Sequence, residues 1–259
     1  MPHANLNAFR ENRYSQNGED GIIGEIFRRL NISTGWFVEF GAWDGKHLSN
    51  SYNLVAHHGW SGVFIEGNPQ KFQDLLQTTA QFPGKLHPIC AMVGFEGEGK
   101  LGDLLARTPI PKDFELLSID IDSYDWQVWN ALENYRPKLV IIECNCSIAA
   151  DVYSIHNPPV SEGASFKALV DLGKKRGYTL VGHTGNCFFV LNELAPALQL
   201  DPAALANPES FFDHAKYRKE RLVNFCREIL LKKLLHEIFR IHPHQPRNRP
   251  HPETAAQKR

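Results

Sequence analysis

The sequence predicts an α/β protein: a mostly parallel sheet covered by helices on both faces, with one antiparallel strand from a terminal hairpin. Three observations carry this expectation. Apolar runs at 36–42, 62–67, 85–93, 114–122 and 138–144 alternate with amphipathic segments, the pattern of successive strand–helix units. The run 138–144 (KLVIIEC) is apolar almost throughout, as in a strand buried on both faces. The runs 178–183 and 187–191 are separated only by Thr184-Gly185-Asn186, a hairpin spacing.

The elements follow in order. Residues 1–13 are polar and expected to be loose. Within 19–30, Ile22, Ile23, Ile26, Phe27 and Leu30 share one helical face. A glycine-containing turn follows the strand at 36–42, and a helix over 50–59 stops at Gly59. Asn68-Pro69 ends the strand at 62–67 and starts a helix. Pro88 makes the strand at 85–93 imperfect, and 100–107 form a short helix. The helix at 124–135 turns Trp126, Trp129 and Leu132 inward, and 146–161, with Asn157-Pro158-Pro159, is a long loop. A helix at 163–177 ends at Gly177. Residues 208–240 are helical, with Leu222, Phe225, Cys226, Ile229, Leu230, Leu234 and Ile238 as a stripe. The stripe is expected to pack on the body or on a second subunit as a homodimer contact. The division expected is a sheet domain at 1–195, a helical extension at 196–241 and a disordered basic tail at 242–259, where proline recurs in a polar tract.

A chain of 259 residues, 42% hydrophobic and 22% charged, is ordinary for a soluble globular protein. This composition excludes collagen-like, wholly disordered and disulfide-scaffold classes. No apolar run approaches the roughly 18 residues of a spanning helix, and the first twenty residues lack the apolar core of a secretory signal. The net charge of −1 is uneven: residues 216–240 hold eight basic groups against three acidic ones, while residues 1–215 are acidic. An acidic body argues against nucleic acid as a partner. Five cysteines without a C-x-x-C pair read as reduced thiols, so a cytoplasmic location is expected.

The first chemical signal is Glu39-Phe40-Gly41-Ala42-Trp43-Asp44-Gly45, closing the first strand. Glycines at such a turn let backbone approach a ligand. The second is Glu66, ending the next strand, where a carboxylate can accept from both ribose hydroxyls of a nucleoside. The turn lacks G-x-G-x-x-G spacing, and the final hairpin does not suit a plain dinucleotide-binding fold.

In these motifs the sequence resembles the class I S-adenosylmethionine-dependent methyltransferases, and among them the FkbM-like branch. The matching pieces are Tyr14-Ser15-Gln16-Asn17-Gly18-Glu19-Asp20, 37–45, Val63-Phe64-Ile65-Glu66-Gly67-Asn68-Pro69, 116–122, Val140-Ile141-Ile142-Glu143, and Gly177-Tyr178 through Phe188-Phe189-Val190. The resemblance implies a Rossmann-like sheet of seven strands, the last antiparallel, here with extra C-terminal helices. It implies S-adenosyl-L-methionine as cofactor, with Gln16, Glu39, Gly41, Ala42, Gly45 and Asp120 around it and Glu66 on its ribose. One departure concerns the acceptor end. The family's Asp-x-Glu-Gly is replaced by Asp120-Ile121-Asp122-Ser123-Tyr124-Asp125.

Those acids form a third signal together with Glu143-Cys144-Asn145. Asp120 and Asp122 are two apart on an extended segment and share a face. The two strands involved should be neighbours, with ligands beyond their carboxyl ends. Asp120, Asp122, Glu143 and Asn145 would then offer oxygen ligands to a divalent cation such as Mg²⁺. His156 or His183 would instead suit Mn²⁺, Fe²⁺ or Zn²⁺. The competing reading makes Asp122 or Ser123 the cap of the helix beginning near Tyr124. Cys144 and Cys146 read as core thiols rather than zinc ligands.

The function expected is methyl transfer to an oxygen or nitrogen nucleophile, with O-methylation of a small molecule or glycan leading. Asp122, Glu143 and His156 are the candidate bases. The alternatives are a metal-dependent reaction on the same fold without methyl transfer, and a non-catalytic binding protein.

Overall fold

A computed structural model describes residues 5–241 of the chain. Seven strands form one sheet: β1 (Trp36–Phe40), β2 (Ser61–Glu66), β3 (Leu86–Cys90), β4 (Leu116–Ile119), β5 (Leu139–Glu143), β6 (Tyr178–His183) and β7 (Asn186–Leu191). Their order is β3-β2-β1-β4-β5-β7-β6. All neighbours are parallel except those of β7, which runs antiparallel to both β5 and β6. This is the expected α/β Rossmann-like sheet. The second strand of the hairpin inserts between β5 and β6.

Helices α1 (Glu19–Arg29), α2 (Tyr52–His58) and α3 (Pro69–Thr79) serve one face of the sheet. Helices α4 (Leu101–Leu105), α5 (Asp125–Ala131) and α6 (Phe166–Lys175) serve the other. Side-chain alternation along the strands explains the division. Phe37, Phe64, Leu116 and Ile141 join Ile22, Ile26, Leu54 and Leu75 in one core. Val38, Phe40, Ile65, Leu117 and Ile142 join Leu104, Trp129, Phe166 and Leu169 in the other. Asn68 starts α3 by accepting from the Gln70 and Lys71 amides, with Pro69 in the first turn.

Two expectations change. The segment 1–13 is not loose throughout: Leu6–Phe9 form a 3-10 turn, and Leu6 is fully buried in the core beside α1. A helix α7 (Pro202–Ala206), started by the Asp201 side chain, precedes α8 (His214–Ile241). Periodicity missed α7 because one and a half turns of alanine and proline carry no apolar stripe.

The chain groups into one compact unit up to Arg218 and a second from Lys219. In the second, Leu222, Phe225, Cys226 and Leu230 are exposed. The expected tail at 242–259 lies outside the described residues. Among the described residues, no helix is long and apolar enough to cross a membrane.

Leu6 separates an ordered from a loose N-terminus. Leu6→Ala should lower unfolding free energy by about 2–4 kcal/mol, the cost of a core cavity, as read from urea denaturation. A loose segment would leave it unchanged.

Candidate functional site

The strand order reverses direction at β1, with β2 on one side and β4 on the other. Loops leaving the carboxyl ends of two such strands diverge and open a crevice. Here it is a cavity of about 640 Å³, the size of a small-molecule site. Gln16, Glu39, Gly41, Ala42, Glu66, Asp120, Asp122 and Glu143 all line it. The turn after β1 requires glycine. Gly41 has φ +75°, and a Cβ there would overlap the Asp120 carbonyl oxygen.

Glu39 and Glu66 look alike in sequence but are used differently. Glu39 accepts from Ser49 Oγ (2.8 Å), Asn50 N (3.2 Å), Ser51 N (3.0 Å) and Ser51 Oγ. It fastens the loop after β1, and burial raises its pKa against the pull of those bonds. Glu66 accepts one backbone amide on each oxygen, Trp43 N at 2.8 Å and Asn68 N at 2.7 Å. Each oxygen keeps acceptor capacity while the carboxylate is held at the cavity wall.

At the other end, carboxylate oxygens of Asp120, Asp122 and Glu143 lie within 4.8 Å of one another. Burial first, then the nearby Asp125, Asp122, Glu39 and Glu19 carboxylates, push Asp120 up to about 7. Burial, then Asp120, Asp122 and Asp125, and a hydrogen bond with Asp122 push Glu143 up to about 9. A pKa raised this far favours the protonated form of the Glu143 carboxyl at neutral pH.

Asp122 does not cap α5, nor does Ser123. The cap residue is Tyr124, which uses no side-chain bond, and Asp125 instead accepts from Ile121 N and Ser123 N at 2.9 Å each. Asp122 has φ +57° and lines the cavity. That left-handed conformation is uncommon for residues other than glycine, aspartate being among the types that adopt it most readily.

Three expected residues are not brought to the cavity wall. Gly45 closes the turn through its amide to Ala42 O at 2.7 Å. Asn145 spends its amide on Glu162 O, Ser147 N and Ser147 Oγ. His156 accepts from Gly163 N through Nδ1 and packs edge-on against Tyr124, which itself lines the cavity. Pattern reading missed Trp43, His47, Leu48, Lys71, Met92 and Tyr124, which also line it. Only Trp43 carried a signal, as the bulky residue inside the glycine turn. It has φ +49°, and strain of this kind gathers at functional sites.

A second group lies in the core. Cys144, His183 and Cys187 are buried with ligand-type atoms within 4.8 Å, and Cys146 Sγ is 3.7 Å from His183 Nε2. His183 Nδ1 accepts from Asp213 N at 3.0 Å, so the neutral ring carries its proton on Nε2, facing Cys146. That leaves no Nε2 lone pair for a cation. A hydrogen bond with Cys144, then burial, raises the Cys146 thiol. The group is a core network of thiols and imidazole.

The fold and cavity define a Rossmann-like α/β protein of seven strands with a ligand crevice at the strand switch. No protein-family model matches the chain, and no curated protein matches it. Solved structures resemble it in fold. M. capricolum TrmK, in complex with S-adenosyl-homocysteine, is 11% identical over 64% of this chain and 65% of its own, with a TM-score of 0.40. A putative caffeoyl-CoA O-methyltransferase from Staphylococcus aureus is 16% identical over 65% and 79%, with a TM-score of 0.41. An S-adenosylmethionine-dependent methyltransferase from Clostridium acetobutylicum is 9% identical over 68% and 92%, with a TM-score of 0.43. At such distances these likenesses carry no inference about activity.

The acid cluster makes stability depend on pH. The folded pKa of Asp120 lies above its ordinary 3.8, so its contribution is complete below that value and is lost as pH rises through about 7. Between pH 6 and 8 the wild type should lose at least about 1 kcal/mol more unfolding free energy than Asp120→Asn. Denaturant titrations at both pH values check this. Parallel losses would show that Asp120 does not titrate there.

Proposed function

We propose that the chain is an S-adenosylmethionine-dependent methyltransferase, nearest in motif order to the FkbM-like branch, acting on a hydroxyl of a small molecule or glycan. The observation that carries this reading is the Glu66 carboxylate. It ends β2, is aimed by the Trp43 and Asn68 amides, and faces the crevice with acceptor capacity left on both oxygens. That pair of acceptor oxygens fits the two donating hydroxyls of a ribose. The Asp120, Asp122 and Glu143 cluster fits a positive sulfonium, because a cation relieves the repulsion that raises their pKa values.

S-adenosylmethionine, when bound, supplies an electrophilic methyl group on sulfur. The chain's own work is to bind, orient and move a proton. Glu66 orients the ribose, and Gly41 and Ala42 bring backbone close. Asp122, paired with Glu143, accepts the acceptor's proton. Asp120, near neutrality at about 7, is a second group able to exchange one. Most of the rate arises from holding the nucleophile in line with the methyl group. The free thiols of the five cysteines fit a reducing, cytoplasmic setting. The exposed Leu222, Phe225 and Leu230 supply a face for pairing two copies.

Glu66→Ala should weaken S-adenosylmethionine binding by about one to two decades, the loss of charge-assisted hydrogen bonds. Isothermal titration calorimetry measures it. Unchanged affinity in a folded variant would remove Glu66 from the ribose.

A second reading rests on the three carboxylates within 4.8 Å. A Mg²⁺ or Mn²⁺ ion held there by Asp120, Asp122 and Glu143 would lower the pKa of a bound hydroxyl, with or without methyl transfer. Asp122→Asn keeps size but loses charge. It should abolish Mn²⁺ binding in a paramagnetic titration. Equal Mn²⁺ binding by variant and wild type would reject this site.

A further inference from the structure

We propose that Glu19 and Asn12 are positioning residues that hold Gln16 at the cavity wall, where its side-chain amide contacts the amino-acid end of S-adenosylmethionine. The inference rests on the cofactor reading above and assigns a role to the segment 12–20.

That segment is tied down on both sides of Gln16. From outside, Asn12 Nδ2 donates to Gln16 O at 3.1 Å, while Asn12 Oδ1 accepts from Gly18 N at 2.5 Å and Ser15 Oγ at 3.4 Å. From inside, the fully buried Glu19 accepts from Asn17 N through Oε2 at 2.7 Å. Its Oε1 accepts from Thr184 Oγ1 at 2.9 Å and Asn186 Nδ2 at 3.1 Å. Asn186 stands opposite Glu143 in the β5–β7 register. Glu19 therefore ties the segment to the strand pair that carries Glu143 into the cavity.

Gln16 is the contrast. Its backbone is held, its side chain is exposed at the cavity, and that side chain makes no hydrogen bond among the described residues. A carboxamide offers both a donor and an acceptor, the pair needed to meet an amino-acid end that carries both a carboxylate and an ammonium. A buried carboxylate costs more than any neutral residue unless its hydrogen bonds are strong. Spending one here fits a segment that must keep a fixed place.

The substitution Glu19→Gln breaks the clamp at Asn17, and Asn12→Ala, which removes no charge, loosens it from the other side. In Glu19→Gln the amide oxygen keeps Thr184 and Asn186, but the NH₂ then meets the Asn17 N–H, donor against donor. In the full-length chain, Gln16→Ala and Glu19→Gln should each weaken S-adenosylmethionine binding about tenfold by calorimetry. The double variant should be no weaker than either single one, because Glu19 acts through Gln16. Hydrogen exchange should show Asn17 N–H protection lost in Glu19→Gln with β-strand protection intact. Multiplying effects in the double variant, or wild-type affinity in Glu19→Gln, would overturn the proposal. Should Glu19→Gln fail to fold, the surface change Asn12→Ala carries the same test: a several-fold loss alone and none in the Gln16→Ala background. The two readings fail differently. A wild-type chain that binds no S-adenosylmethionine overturns the cofactor reading and this one with it. Binding that depends on Glu66 but not on Glu19 or Asn12 overturns this one alone.

Discussion

The crevice depends on one repeated interaction: a buried carboxylate accepting the backbone amides of a loop. Glu39 holds Asn50 and Ser51, Glu66 holds Trp43 and Asn68, and Asp125 holds Ile121 and Ser123. Asp20 holds Arg13, Tyr14 and Ser15, and Glu19 holds Asn17. Loops at strand ends cannot satisfy their amides within a ladder, and an ionised oxygen is the strongest acceptor available. Each acid therefore fixes a loop as firmly as a strand fixes its neighbour.

That device concentrates negative charge, and the charge has a consequence. Burial first, and then nearby carboxylates that include the loop-fastening Asp125, raise the pKa values of Asp120 and Glu143. Loop architecture and the electrostatics of the cavity wall thus come from the same residues.

Sequence position alone does not separate an acid that fastens a loop from one that faces a ligand. Glu39 and Glu66 lie at the carboxyl ends of apolar strands, one or two residues before a glycine. Glu39 meets the hydroxyls of Ser49 and Ser51, which come from its own following loop. Glu66 accepts from Asn68 of its own following loop and also from Trp43 in the loop of a different strand, and it lines the cavity. The difference lies in which loop folds back over which acid. Asn145 likewise sits two residues beyond Glu143, but the chain turns at once and its amide serves Glu162 and Ser147 instead.

The sequence by itself determined the α/β class, the seven strands to within a few residues, the antiparallel hairpin and the motif glycines. These are local properties: period-two and helical apolar patterns, Asn68-Pro69 as a stop, Gly41 at a positive φ. Only the tertiary structure decided that β7 inserts beside β5, that Leu6 belongs to the core, and that Asp120, Asp122 and Glu143 converge while His156 packs on Tyr124 outside the cavity lining. Those outcomes depend on contacts between residues far apart in the chain. A strand's place in the sheet is set by which faces bury together, and a carboxylate's task by the groups that fold over it. Neither quantity is present in any short window of sequence.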